Sequence, residues 1–238
     1  MPRLSVNLNK VALIRNSRGA NFPDLIKVAR DCERYGAQGI TIHPRPDQRH
    51  ARYDDVAALK EVVTTELNIE GYPTEKFLDV VLTTRPDQVT LVPDEPGQLT
   101  SDHGWDTMKR ADELRPIIGR LRNAGIRTSI FVDPDPKMLD GALAIGTDRI
   151  EFYTGPYAHA YDTDRDGAVA PFASASAHAA ALGLGINAGH DLNLDNLAYF
   201  VSKLPDLQEV SIGHALVVDA LYFGLENTIQ LYLNRLEN

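Results

Sequence analysis

The stretch Gly39-Ile40-Thr41-Ile42-His43-Pro44-Arg45-Pro46-Asp47-Gln48-Arg49-His50, with the amphipathic run over residues 53–65 behind it, decides how this chain folds. Its first residues are apolar or β-branched and too few for a helix, so they read as a buried strand. Two prolines then remove backbone donors and stop the ladder. The segment becomes polar and cationic before helical periodicity takes over. A strand that ends in His and Arg and passes into a helix is one βα unit.

The same unit recurs on both sides. Strands are expected over residues 4–8, 39–43, 67–70, 88–92, 128–132, 149–153, 183–187 and 209–212. Helices are expected over 24–35, 53–65, 74–84, 107–124, 136–146, 172–181, 193–203 and 217–236. Eight repeats, with no edge strand of different character and no Gly-x-Gly-x-x-Gly turn after the first strand, predict a closed (β/α)8 barrel and not an open doubly wound sheet. The length of 238 residues is close to the roughly 250 of such a barrel. No low-complexity linker divides the chain, so residues 1–238 read as one domain. Two connections exceed a minimal unit. Residues 100–120 have room for an extra helix, and residues 155–171 read as a mobile polar lid. The latter contains Asp162-Thr163-Asp164-Arg165-Asp166-Gly167, which mimics the start of a calcium loop. Such a loop closes with a glutamate where this chain has Ala173, so calcium is not expected.

Composition narrows the function. Hydrophobic residues make up 43% and charged residues 24%, with a net charge of −9. That balance gives no electrostatic support to a nucleic-acid or membrane-surface role. The one cysteine, Cys32, cannot form an internal disulfide and reads as a buried core thiol. No apolar run of signal-peptide or membrane-span length is present, which makes the cytoplasm the expected compartment.

In a (β/α)8 barrel the chemistry sits where strands end, because strand interiors pack apolar side chains and strand ends open to solvent. The expected ends are Asn7-Leu8-Asn9-Lys10, His43-Pro44-Arg45, Asn68-Ile69-Glu70, Glu151-Phe152-Tyr153-Thr154, Asn187-Ala188-Gly189-His190 and Gly213-His214. His43, His50, His190 and His214 therefore share one rim. His43, Glu70 and His190, from three strands, could move protons on one substrate from different sides. There is no His-x-His pair, no His-Glu-x-x-His and no Cys cluster, so no metal is expected. The Gly-His turns after the last two strands suit phosphate, since glycine lets the backbone approach an anion. Arg15, Arg18, Arg45 and Arg49 offer planar forks for phosphate oxygens or are surface side chains.

These motifs, in this order, resemble the pyridoxine 5'-phosphate synthase family. The resemblance runs through Val6 to Gly19, Gly39 to His50, Leu67 to Gly71, Thr90 to Pro93, Ile150 to Ala158, Asn187 to His190 and Ile212 to Ala215, nearly the whole chain. It implies a (β/α)8 barrel with extra helices, assembled as an octamer. It also implies a cofactor-free condensation of 1-deoxy-D-xylulose 5-phosphate with 3-amino-1-hydroxyacetone 1-phosphate to pyridoxine 5'-phosphate, phosphate and water. By the same resemblance, His43 and Glu70 are proton acceptors and His190 a proton donor. Arg45, His50 and Thr100 match positions that hold the deoxyxylulose phosphate. Asn7, Arg18, Gly213 and His214 match positions that hold the amino-ketone phosphate, and Glu151 is a polar barrel residue near the reacting atoms. The chain departs from the family twice. Asn9-Lys10 stands where many members have an Asp-His pair that binds the deoxyxylulose phosphate, and Asp191 replaces a glycine beside the amino-ketone phosphate. A phosphosugar isomerase or epimerase on the same barrel would use similar acid–base groups but would not need the second phosphate site that the Arg18 and Arg45 loops imply. A non-catalytic phosphate-binding barrel would be expected to have lost one of His43, Glu70 and His190.

Overall fold

The computed structural model describes residues 1–94 and 101–237. Its strands are β1 (Arg3–Asn7), β2 (Gly39–Ile42), β3 (Leu67–Gly71), β4 (Gln88–Leu91), β5 (Arg127–Val132), β6 (Arg149–Tyr153), β7 (Gly185–Gly189) and β8 (Leu207–Ile212). All neighbours pair in parallel, and β8 pairs with β1, so the sheet closes into a barrel. Around it lie α1 (Asn9–Asn16), α2 (Leu25–Arg34), α3 (Tyr53–Lys60), α4 (Glu75–Thr84), α5 (Ala111–Asn123), α6 (Pro136–Ile145), α7 (Gly155–Ala181), α8 (Leu197–Lys203), α9 (His214–Phe223) and α10 (Leu225–Leu236). The register Val6↔Ile212 and Val6↔Ile40 brings the ends of β8, β1 and β2 to one rim.

Local chemistry sets the helix starts. The Asp24 carboxylate accepts from the N–H groups of Ile26 and Lys27, Thr74 caps Phe77, and Asp135 caps Lys137 ahead of Pro136. Alternation sorts the strand residues. Leu4, Val6, Ile40, Ile42 and Ile69 join the apolar core beneath the helices. Their neighbours meet inside the barrel, where Ser5 and Thr41 share a hydroxyl bond of 2.7 Å, Asn68 donates to Thr41 at 3.3 Å and Thr90 donates to Asn68 at 3.0 Å. The expectation of apolar strand interiors is thus corrected: from β1 to β4 this barrel is lined by a hydrogen-bonded polar ladder running through Ser5, Thr41, Asn68 and Thr90. Cys32 is fully buried, and burial pushes its thiol up to about 12.

Three further expectations change. Residues 155–171 are not a lid but the first part of α7. Pro156 sits in the first turn, where no N–H is required of it. Tyr157, Val169 and Phe172 bury one side of the helix, and the acidic run stays on the solvent side. The run breaks the helix locally at Asp164 (φ −155°, ψ 77°), whose carboxylate accepts from the Gly167 N–H at 2.9 Å. The extra helix expected in residues 100–120 is also absent among the described residues. There, a turn pinned by the buried Trp105, whose indole donates to the Leu91 carbonyl at 3.0 Å, leads to α5. The additional helix is α1, directly after β1. The run 217–236 is two helices, because Gly224 (φ 77°, ψ 151°) leaves helical space between α9 and α10. Finally, β7 lies about two residues later than expected, which places Gly189 at its end. No helix among the described residues is long and apolar enough to cross a membrane.

Candidate active site

A cavity of about 570 Å³ opens at the C-terminal rim of the barrel. Its wall includes His43, Glu70 and His190 together with Asn7, Asn9, Lys10, Arg45, His50, Glu151, Asp191, Gly213 and His214. Sequence reasoning thus converges on one space, with two exceptions. Arg18 is exposed and does not line the cavity. Thr100 lies outside the described residues. Arg15 is also corrected: it is buried and grips Asp55 of α3 through both terminal nitrogens at 2.7 and 2.9 Å, so it serves the scaffold and not a phosphate.

Glu70 is the centre of the arrangement. It is buried at the end of β3, with Oε2 at 3.9 Å from the His43 Nδ1 and 3.5 Å from the Asn7 Nδ2. The Ser211 hydroxyl donates to Oε1 at 3.4 Å. The Asn7 amide has a defined orientation, since its Oδ1 accepts the Asn9 N–H at 3.0 Å and leaves the amine facing Glu70. Burial and the nearby Asp94 carboxylate raise the Glu70 carboxyl to about 7, against the pull of Ser211, Arg45 and Asn7. Glu70 is therefore poised to gain or lose a proton near neutrality. Deeper in the barrel, burial and the charges of Glu70 and Glu209 raise Glu151 well above the carboxylate range. Gly189 makes room for it, because a Cβ there would stand 2.5 Å from the Glu151 Oε1.

Burial lowers the proton affinity of His43, His50 and His190, each in different surroundings. Burial, then Arg45, lowers His43 well below its ordinary value. Its backbone N–H donates to the Asn9 Oδ1 at 2.9 Å. That bond needs only an acceptor oxygen, which an asparagine supplies as an aspartate would. Burial, Lys10 and Arg49 push His50 down to about 4, and its carbonyl accepts from the Asn16 amide at 2.7 Å. His190 is lowered by burial and partly restored by Asp191. Its ring packs 5.1 Å from that of Phe131 and 5.5 Å from that of Tyr153.

His190 (φ 81°) and Asp191 (φ 58°) are consecutive left-handed residues, an unusual conformation without glycine. The Thr154 hydroxyl engages the carbonyls of Gly189 and His190, and the Asn196 amide donates to the Asp191 carbonyl at 3.1 Å. These bonds hold the turn that aims His190 into the cavity. On the opposite wall, Gly213 passes close to β1, where a Cβ would meet the Asn7 Cβ at 3.1 Å. From it, α9 begins at His214, and Gly213, His214 and Ala215 line the cavity, so a helix start stands at its wall, a place suited to an anion. Lys10 and Arg49 add positive charge.

Sequence reasoning missed Asp94 and Ser211. Asp94 is buried beyond β4 and pairs with Arg45, while Ser211 looked like an ordinary strand residue. Reading β8 with period two from Glu209 would have turned Ser211 inward. Among the described residues no three His, Cys, Asp or Glu side chains converge to hold a metal.

Comparison with known proteins bears on this geometry. Residues 4–238 match the family described as Pyridoxal phosphate biosynthesis protein PdxJ. The pyridoxine 5'-phosphate synthase of Porphyromonas gingivalis is 59% identical over 236 residues, covering 99% of both chains. That of Cytophaga hutchinsonii is 58% identical over 237 residues, covering 100% of both. Among solved structures, 3-keto-L-gulonate-6-phosphate decarboxylase from Vibrio cholerae superposes with a TM-score of 0.67 at 10% identity, covering 99% of this chain and 97% of that one. Thiamine phosphate pyrophosphorylase from Pyrococcus furiosus gives 0.65 at 14% identity, covering 99% and 95%. At such identities these two speak to the barrel alone.

Proposed function

The chain belongs to the PdxJ family of pyridoxal phosphate biosynthesis, and from that membership we propose that it joins 1-deoxy-D-xylulose 5-phosphate to 3-amino-1-hydroxyacetone 1-phosphate to form pyridoxine 5'-phosphate, phosphate and water. It is a synthase of vitamin B6 biosynthesis. The observation that carries the proposed reaction is the convergence of Glu70, His43 and His190 on one cavity walled by two phosphate-suited segments.

Each stage of the condensation moves protons. Imine formation, phosphate elimination, addition and loss of water, and ring closure all need a base that can return its proton. Glu70, with its proton affinity near neutrality, and neutral His43 serve as acceptors. His190 delivers a proton from the opposite wall, with Asp191 supporting its charged form. Glu151, whose carboxyl burial holds toward its protonated form, donates a hydrogen bond to developing negative charge. Arg45, His50 and Lys10 take one phosphate, while Gly213, His214 and the start of α9 take the other beside Asn7. This role needs no bound cofactor, fits the cytoplasm, and is proposed for a homo-octamer.

The test is an assay of purified protein with both phosphorylated substrates and no added cofactor, following phosphate release and the absorbance of the pyridine product. Turnover by the wild type with a loss of about a hundredfold or more in Glu70→Gln is expected. Binding of both substrates without pyridine product would overturn the assignment.

A further inference from the structure

Asp94 follows β4 and faces the wall of the cavity from behind. Its side chain is 2% exposed and pairs with the Arg45 guanidinium, itself 9% exposed. The Ser101 hydroxyl donates to the same carboxylate oxygen at 2.5 Å. The other oxygen, Oδ1, is buried without a hydrogen-bond partner among the described residues. Arg45 and Ser101 both line the cavity, and Asp94 does not.

A buried carboxylate with one oxygen unsatisfied is costly, and an apolar residue of similar size would pack there more cheaply. Scaffold needs therefore do not account for it. What Asp94 touches does account for it. A guanidinium has five donors and can bind a carboxylate with one edge while offering another to a phosphate. Held by Asp94, Arg45 keeps a fixed plane at the cavity wall instead of swinging with an incoming anion. The negative charge also reaches Glu70. That group is faced by His43 and Arg45 from the β2 end, Asp94 from the β4 end and Glu151 from β6, with Asn7 and Ser211 as hydrogen-bond donors.

We propose that Asp94 is a positioning residue of this site: its carboxylate fixes the Arg45 fork and the Ser101 hydroxyl at the cavity wall. The kinetic part of this inference rests on the synthase reading; the charge and geometry do not. Neutralising Asp94 removes one negative charge beside Arg45, so anion affinity holds or improves while alignment is lost. The same change removes a repulsion that raises Glu70's proton affinity.

The experiment compares wild type, Asp94→Asn and Asp94→Glu in three readouts. Infrared difference spectroscopy, assigned with Glu70→Gln, follows the Glu70 carboxyl as a function of pH. Calorimetry measures binding of inorganic phosphate, and steady-state kinetics separates kcat from KM. In Asp94→Asn the Glu70 midpoint is expected to move down by about one pH unit. Phosphate affinity is expected to be no weaker, and kcat to fall about tenfold or more. In Asp94→Glu the charge is kept and the midpoint returns toward the wild-type value, while kcat stays low because the longer arm displaces Arg45. An unmoved midpoint with unchanged kcat in Asp94→Asn would overturn the proposal. If Asp94→Asn does not fold, Asp94→Glu decides alone: a wild-type midpoint with reduced kcat supports the role, and wild-type kcat overturns it. Should the wild type make no pyridine, the synthase reading fails, and the infrared and calorimetric readouts still judge Asp94.

Discussion

The Arg15 guanidinium of α1 meets the Asp55 carboxylate of α3 edge to edge, at 2.7 and 2.9 Å, with both side chains largely buried. Asp55 also accepts from the Arg52 N–H at 2.7 Å, so one carboxylate ties α1 to the start of α3 and to the loop that carries His50. Arg15→Met strands that charge away from water. It is expected to lower stability by about 3 kcal/mol in denaturant titrations, with phosphate affinity within about twofold of the wild type.

Glu70 carries a pH signature. As a proton acceptor it works ionised, and its carboxyl titrates at about 7. The rate is therefore expected to rise with pH through neutrality and level off about one unit above. Glu70→Gln should remove that limb together with most of kcat. A wild-type profile flat from pH 6 to 8 would assign the base elsewhere.

The carboxyl of Glu209, at the far end of the barrel, is raised to about 8 from an ordinary 4.5 by burial and by its neighbour Glu66. A raised carboxyl contributes stability that is present below the unfolded value and is lost as pH rises through the folded one. Glu209→Gln keeps a donor toward Glu66 and does not titrate. Its melting temperature relative to the wild type is expected to climb between pH 5 and 8.5, by about 3–8 °C. Parallel curves across that range would refute the buried charge.

Gly189→Ala tests the space beside Glu151. The added Cβ would stand 2.5 Å from a carboxyl oxygen, so Glu151 must shift. A fall of about tenfold or more in kcat with little change in KM is expected from steady-state assays.

Removing the Thr154 hydroxyl, as in Thr154→Val, frees the carbonyls of Gly189 and His190 from their shared donor. The left-handed pair His190-Asp191 then loses a brace. Stability is expected to drop by about 1–2 kcal/mol, and kcat more than KM, because His190 loses its aim.

Most of the barrel could be read from the chain. Strand cores such as Gly39–Ile42 and Arg149–Tyr153 announce themselves through short apolar runs between helical periods, and the structure keeps them. The rim residues were legible for the same reason: once a strand's end is known, His43, Glu70 and Gly213 must share a face. What failed has a common cause. Asp162, Asp164 and Asp166 have poor helix propensity, yet the inward anchors Tyr157, Val169 and Phe172 override it through tertiary packing. Arg15 and Arg18 are chemically alike in sequence. Only the three-dimensional course of α1 buries the first against Asp55 and turns the second outward. Asp94 stayed invisible because its importance lies in a partner 49 residues away.

The first and last strands lie side by side, and both reach Glu70, through Asn7 and Ser211. On the ribosome these two donors are separated by nearly the whole time of synthesis. A nascent or prematurely terminated chain that already carries His43 and Glu70 lacks half the hydrogen bonding around its central carboxyl. The hydrogen bonding around that carboxyl is whole only once β8 has closed against β1.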